Sequence, residues 1–139
     1  MTDILNKAKS IEEYIINFRR DLHEHPELSG QEFKTQEKII KELDKLAIPY
    51  KKAGNTSIIA TLKGGKNGKT IALRADFDAL PVKEETDVEF KSKTLGIMHA
   101  CGHDAHAAML LGAAKILSEM KNEIPGEVRF FFQEGEETF

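Results

Sequence analysis

The sequence predicts a layered α/β domain, because segments of helical periodicity alternate with short apolar segments typical of buried strands. Apolar residues recur every three or four positions in 11–22 and 33–46, whereas 57–62, 70–75 and 128–132 are short and rich in β-branched or aromatic side chains. The chain has 139 residues, of which 40% are hydrophobic and 31% charged. This size and balance are typical of one globular domain.

Two amphipathic helices are predicted in the first third of the chain. Ser10 with Glu13, and Ser29 with Glu32, have the spacing of a capping box, which marks a helix N-terminus. The apolar positions that follow are Ile11, Tyr14, Ile15, Phe18 and Leu22 in the first helix, and Phe33, Ile40, Leu43 and Leu46 in the second. The His-Pro-Glu segment 25–27 is expected to separate the two helices.

Strands and a third helix are predicted after residue 56. Residues 57–62 and 70–75 are expected to pair as a hairpin across the glycine-rich turn 64–69. Residues 81–96 are polar and irregular, which indicates a loop, and a helix is predicted over 104–121. The apolar stripe predicted for this helix consists of Met109, Leu110, Ala113, Ile116, Leu117 and Met120.

The last predicted strand, 128–132, follows a Pro-Gly turn at 125–126 and contains three consecutive phenylalanines. An uninterrupted apolar run of this kind is typical of a sheet that is covered on both faces. The mixture of helices and buried strands therefore favours a layered α/β architecture for the whole chain.

Charge and cysteine content narrow the functional classes. The net charge of −3 and the isoelectric point near 6.0 give no electrostatic case for binding nucleic acid or an anionic membrane. No apolar run is long enough to span a bilayer, and the N-terminal residues lack the pattern of a signal peptide. The single cysteine, Cys101, rules out an intramolecular disulfide, and because the sequence shows no export signal, the cytoplasm is the expected compartment.

Polar residues cluster at three places beside the predicted strands and the start of the third helix. The clusters are 74–78 after the second strand, 99–106 before the helix, and 133–137 after the aromatic strand. Sites in open α/β sheets form outside the carboxyl ends of the strands. We therefore expect the three clusters to meet at one site although they are far apart in sequence.

The residue types in these clusters suit a transition metal. Cys101 and His103 carry the thiolate and imidazole ligands that zinc and its neighbours prefer. They are two positions apart, and Gly102 between them lets the backbone bend so that both side chains reach one ion. Glu136 and Glu137 can divide two tasks, in which one carboxylate binds the metal and the other accepts a proton from an activated water.

Each of these residues also has a purely structural interpretation. Cys101 could be a small buried side chain, and Asp104 could cap the third helix. Asp76 and Asp78 could end a strand and open a turn, and the acidic run 134–137 could be solvated. We favour the metal site because all three clusters follow or precede apolar segments, which independent structural roles would not require.

A cysteine hydrolase is the rival enzymatic interpretation. Cys101 would be its nucleophile and His103 or His106 its base, and the N-terminus of the third helix could lower the thiol pKa. This arrangement would leave the neighbouring carboxylates without a role, so it ranks below the metal site.

The sequence resembles the M20 metallopeptidase family, in particular the amidohydrolase branch that includes hippurate hydrolases, auxin-conjugate hydrolases and N-acyl-amino acid deacylases. The resemblance is carried by four segments in the family's order: RRDLHEHPELS at 19–29, LRADFDALP at 73–81, MHACGHDAH at 98–106 and QEGEE at 133–137. It implies an αβα zinc-peptidase-like catalytic domain, of which residues 1–139 form the N-terminal part. Family members are longer, with further histidine ligands and a lid and dimerisation domain downstream.

The resemblance also implies roles for individual residues. Cys101 corresponds to a bridging metal ligand, while His103 and Glu137 correspond to further ligands. Glu136 corresponds to the catalytic general base, and Asp76 stands where the family keeps a catalytic aspartate near the metals. Substrate-contacting or second-layer roles fall to the remaining polar residues of the clusters, Asp78, Asp104 and His106. Arg74 stands where related branches keep a histidine ligand.

The implied activity is hydrolysis of the amide bond of an N-acyl amino acid or short peptide by metal-activated water. Two divalent ions are implied, manganese or zinc before cobalt or nickel, and Glu136 would pass the proton to the leaving amine.

The alternative is a truncated, inactive chain that only folds or self-associates, because an incomplete sheet leaves an open edge that a homo-oligomer would cover. Glu134 replaces the proline usual in the family's glutamate motif, which is expected to loosen that strand end.

Overall fold

The computed structural model describes residues 2–138 as a four-stranded mixed sheet with four α-helices. The elements in chain order are α1 (Thr2–Ser10), α2 (Glu12–Glu24), α3 (Phe33–Lys45), β1 (Tyr50–Ala53), β2 (Ser57–Lys63), β3 (Lys66–Asp76), α4 (His103–Glu119), a 3₁₀ turn (Lys121–Glu123) and β4 (Pro125–Gln133). The α/β class predicted from the sequence is therefore confirmed. No helix within residues 2–138 combines the length and apolar character that crossing a bilayer requires.

The strand order is β1-β2-β4-β3, so the predicted hairpin between residues 57–62 and 70–75 is wrong. β4 inserts between β2 and β3, antiparallel to β2 and parallel to β3. The hairpin of this sheet is instead β1–β2, whose first strand has only four residues, two of them lysines. β3, α4 and β4 form a βαβ unit, and this crossover makes the two strands parallel, with their carboxyl ends at one edge.

The hydrophobic core lies between one face of the sheet and the helices. Alternate residues of the two central strands point into it, and the fully buried members include Ile58 and Ala60 of β2 and Phe130 and Phe132 of β4. Phe131 points to the opposite face and lies outside the core cluster. For the part of the chain that the structure describes, the prediction of a sheet covered on both faces is therefore wrong.

The helices differ from the prediction at their ends and on their faces. Neither capping box forms: Ser10 Oγ donates to the Lys7 carbonyl, and α3 starts after Glu32 without a side-chain cap. The nine-residue helix α1, which precedes α2, is absent from the prediction. On α4, Met109 is 57% exposed, whereas Leu111, outside the predicted stripe, is fully buried.

Candidate metal centre

The three polar clusters meet where β3 and β4 end and α4 begins. Asp76, the last residue of β3, pairs in register with Gln133, the last residue of β4. Because these strands are parallel, the loops that follow them leave the sheet at the same edge. His103, the first residue of α4, is buried against this edge. The structure thus brings together residues that are separated by up to about sixty positions in sequence.

Cys101, His103 and Glu137 form a compact group of potential ligands. One ligand atom from each residue lies within 4.8 Å of the other two. His103 Nε2 is 3.7 Å from Glu137 Oε1 and 3.8 Å from Glu136 Oε2. Gly102 has φ = 101°, in the left-handed region that glycine adopts without steric cost, and so it supplies the bend predicted between the cysteine and the histidine.

The chemistry of this group fits a divalent metal ion. It offers one sulfur, one imidazole nitrogen and one carboxylate oxygen, which is a donor set that zinc and related ions accept. Glu137 Oε1 is buried and has no hydrogen-bond partner among the described residues. A buried carboxylate oxygen without a partner is costly in free energy, and a cation beside it would remove that cost.

Asp78 fixes the orientation of the ligand residues. Its Oδ1 lies 3.0 Å from His103 Nδ1, and its Oδ2 accepts the Ser29 hydroxyl at 2.7 Å and the Glu137 N–H at 2.9 Å. A carboxylate on one ring nitrogen keeps the proton there, which leaves the other nitrogen free to bind a metal. Ser29, predicted as part of a capping box, therefore supports this carboxylate.

Asp76 and His106 form a second group, which shares His103 with the first. His106 Nδ1 lies 2.6 Å from Asp76 Oδ1, and Arg74 contacts the other carboxylate oxygen at 2.9 Å. Burial by itself would raise the pKa of Asp76, but the His106 hydrogen bond and the charges of His103 and Arg74 outweigh it and lower the pKa. His103 Nε2 can bind only one ion at a time. An ion that one group holds through this nitrogen therefore prevents the other group from using it.

Asp104 is not a helix cap but the centre of a buried polar network behind the site. Its Oδ2 accepts Arg19 Nε and contacts His23 Nδ1, both at 2.8 Å, and the other ring nitrogen of His23 lies 3.2 Å from Glu84. This network ties α4 to α2 and to the loop before the site. Arg19 and His23 of this network lie in the motif segment 19–29, so the motif marks the network in the sequence. The motif alone does not indicate the role of His23.

His99 is buried next to this network, and neither of its ring nitrogens has a hydrogen-bond partner among the described residues. Burial lowers its pKa to about 4, so the imidazole is neutral at neutral pH. His99 stands in the polar cluster 99–106, and its sequence context gives no sign that the side chain is packed away from solvent.

The geometry gives no support to a nucleophilic cysteine. Desolvation and the nearby negative charges of Glu137, Glu136 and Asp76 raise the pKa of the Cys101 thiol. Reactive cysteines need a lowered pKa, because the thiolate is the nucleophile. A bound cation, by contrast, would deprotonate this thiol directly.

Comparison with known proteins agrees with the geometry. Residues 72–139 match the sequence profile of peptidase family M20/M25/M40. Over 95% of its length, the chain is 52% identical to thermostable carboxypeptidase 2 of Saccharolobus solfataricus. The chain belongs to the M20 family. Nothing in these comparisons supports a cysteine-nucleophile mechanism.

Two further relatives place the chain within the M20 family. It is 50% identical, over 90% of its length, to the N-acyl-L-amino acid amidohydrolase of Geobacillus stearothermophilus. It superposes on the crystal structure of the Bacillus subtilis YXEP protein, a dinuclear metal binding peptidase from the M20 family, with a TM-score of 0.89 and 48% identity over 93% of the chain. The chain spans about a third of the length of these relatives: 34% of the carboxypeptidase and of the amidohydrolase, and 36% of the YXEP chain.

Proposed function

We propose that the chain carries part of a metal-dependent amidohydrolase site that cleaves the amide bond of N-acyl amino acids or short peptides. The observation that carries the proposal is the convergence of Cys101, His103 and Glu137, with the Glu136 carboxylate 3.8 Å from the same histidine nitrogen. The names of the relatives, a carboxypeptidase and an N-acyl-L-amino acid amidohydrolase, support an amide bond as the target.

In this proposal Cys101, His103 and Glu137 hold a divalent ion, manganese or zinc before cobalt or nickel. The ion supplies a Lewis acid for the amide carbonyl and lowers the pKa of water. Glu136 accepts the proton of the attacking water at its carboxylate and delivers it to the departing amine nitrogen. Asp78 holds the proton on His103 Nδ1, so that the Nε2 lone pair faces the ligand position.

A second ion is part of the proposal, because a relative of this chain is a dinuclear metal binding peptidase. Asp76 Oδ1 lies 3.6 Å from His103 Nε2 and contacts His106. Asp76 and His106 are therefore the candidates to bind the second ion or to orient its ligands. We assign the first ion to the cysteine group, since Glu137 Oε1 has no hydrogen-bond partner within residues 2–138, whereas Asp76 and His106 satisfy each other.

The test is hydrolysis of a panel of N-acetyl and N-benzoyl amino acids by this chain, with manganese or zinc and a chelator control. We expect chelator-sensitive turnover, and we expect Glu136→Gln to abolish it while zinc still binds, since Glu136 is the general base and not a ligand in this proposal. Glu123→Gln, at an exposed residue in the 3₁₀ turn, is the matched charge control. Unchanged turnover in Glu136→Gln would exclude the assigned base.

A second candidate is a chain that binds metal and self-associates without turnover. The observation that favours it is β3, an edge strand that is exposed along most of its length and presents Ile71 with 55% of its surface open. Exposed strand edges pair readily with another chain. A homo-oligomer in size-exclusion chromatography, with metal bound but no hydrolysis, would favour this candidate. The cytoplasm stays the predicted compartment, to be tested by cell fractionation.

A further inference from the structure

The loop after β4 carries Glu136 and Glu137, and its first residue, Glu134, is bound by a neighbouring turn. Glu134 Oε1 accepts the Asn55 N–H at 2.8 Å, and Oε2 accepts the N–H groups of Thr56 and, at 3.1 Å, of Ser57. In return, the Glu134 N–H donates to Ser57 Oγ at 3.1 Å. Three successive backbone N–H groups that converge in a turn form a binding place for an anion, and here a carboxylate of the chain occupies it.

This arrangement contradicts the expectation that replacing proline with Glu134 loosens the strand end. Burial by itself would raise the pKa of Glu134, but the Thr56 hydroxyl and the three N–H groups outweigh it and lower the pKa. The turn also leaves room for the carboxylate, since a Cβ on Gly54 would lie 2.1 Å from Glu134 Oε1. The strand end is therefore tied to the β1–β2 turn by side-chain and backbone hydrogen bonds.

Another carboxylate, the fully buried Glu32, holds the next residue of the loop. Its Oε1 accepts the Gly135 N–H at 3.0 Å, and its Oε2 accepts the Thr56 hydroxyl at 2.6 Å. The same hydroxyl oxygen lies 2.7 Å from Glu134 Oε2. A hydroxyl donates one proton, so Thr56 can donate it to either carboxylate, and its oxygen lies between Glu32 and Glu134.

The loop is thus held from three sides. Of the four backbone N–H groups in 134–137, that of Glu134 binds Ser57, that of Gly135 binds Glu32 and that of Glu137 binds Asp78. These partners belong to three separate parts of the chain. Ligand groups must be held to within about 0.5 Å for tight metal binding, and a loop reaches that accuracy only when surrounding residues fix it.

We propose that Glu134 is a positioning residue, which anchors the loop to the β1–β2 turn and so places Glu137 for metal binding and Glu136 beside it. The proposal rests on the proposed metal site. It assigns a role to a residue at which this sequence departs from the usual family motif.

The test is a cobalt(II) titration of the 139-residue chain, followed by the absorption band of the cobalt–thiolate bond at Cys101. We expect Glu134→Ala to weaken cobalt affinity about tenfold, the range known for residues that orient ligands. Glu134→Gln keeps one acceptor oxygen for the turn and should lie between Ala and the unsubstituted chain. Glu123→Gln, a remote residue, should bind cobalt like the unsubstituted chain.

The thiolate band separates positioning from a general loss of structure. We expect it to persist in Glu134→Ala at saturating cobalt, because Cys101 and His103 lie on another segment, while the visible bands change as Glu137 shifts. If Glu134→Ala does not fold, Glu134→Gln and Ser57→Ala, which removes only the acceptor for the Glu134 N–H, decide the question by the same titration.

Two outcomes would overturn the proposal, and they are distinguishable. If the unsubstituted chain shows the thiolate band and the folded variants bind cobalt with unchanged affinity, the positioning role is refuted while the proposed metal site stands. This conclusion holds even if the variants unfold at a lower urea concentration. Absence of the band in the unsubstituted chain would refute the proposed metal site and the positioning role with it.

Discussion

Replacing Asp78 with asparagine is expected to weaken metal binding without removing any ligand. The Asp78 carboxylate accepts hydrogen bonds on both oxygens, from His103 Nδ1 on one side and from Ser29 and the Glu137 backbone on the other. An asparagine amide has one acceptor oxygen and one NH₂ donor. In either orientation the NH₂ group therefore faces a donor. When the NH₂ group faces His103, it favours the tautomer with the ring proton on Nε2, and that proton blocks metal binding.

The expected magnitude follows from these contacts. Changes to residues that orient a metal-binding histidine typically reduce affinity about 10- to 100-fold, which corresponds to about 1.4–2.8 kcal/mol. Hydrogen bonds to a charged group contribute about 1.5–3 kcal/mol each to stability, so we expect the free energy of unfolding of the metal-free chain to fall by about that amount. The loss should be below the sum for three bonds, because one acceptor remains and bonds to one group are not additive.

Isothermal titration calorimetry with zinc measures the affinity, and urea denaturation of the metal-free chain measures the stability. Asp87→Asn is the matched control, since Asp87 is exposed in the loop before the site. Zinc affinity in Asp78→Asn equal to that of the unsubstituted chain would refute the role given to this carboxylate, whatever happened to stability.

Three further predictions concern packing and association. Leu111→Ala should lower the free energy of unfolding in urea by about 2–5 kcal/mol, because Leu111 is fully buried under the sheet; a loss below about 1 kcal/mol would contradict the packing described. Met109→Lys should change stability by less than about 0.5 kcal/mol in the same assay, since the side chain is 57% exposed. Ile71→Lys should reduce any self-association in sedimentation equilibrium, because a charge on the exposed β3 edge opposes pairing; an oligomer that is unchanged by it would place the contact elsewhere.

The sequence predicted the type of most elements because their local signals were strong. Helical periodicity located α2, α3 and α4, and the β-branched and aromatic runs located β2 and β4. The order of the strands was not accessible in this way, because β3 and β2 are adjacent in sequence while the partner of both, β4, comes about fifty residues later. A hairpin is the local solution, whereas the βαβ crossover depends on contacts that only the folded chain contains.

The site shows the same division between local and long-range information. The motifs indicated the ligand candidates Cys101, His103 and Glu137, and the structure groups them. The roles of the supporting residues differ from the prediction, because Ser29 and Glu32 have capping-box spacing yet bind Asp78 and the Gly135 N–H. Residue type and spacing limit what a side chain can bind. They do not identify the partners of Ser29 and Glu32, which lie about fifty and about a hundred positions away in the sequence.

Zinc K-edge X-ray absorption on the zinc-loaded chain shows directly whether Cys101 is a metal ligand. The proposed site should give one sulfur at about 2.3 Å and nitrogen or oxygen neighbours at about 2.0–2.2 Å, with the sulfur lost in Cys101→Ser. A zinc shell of nitrogen and oxygen alone in the unsubstituted chain would show that Cys101 is not a ligand and would refute the proposed metal centre.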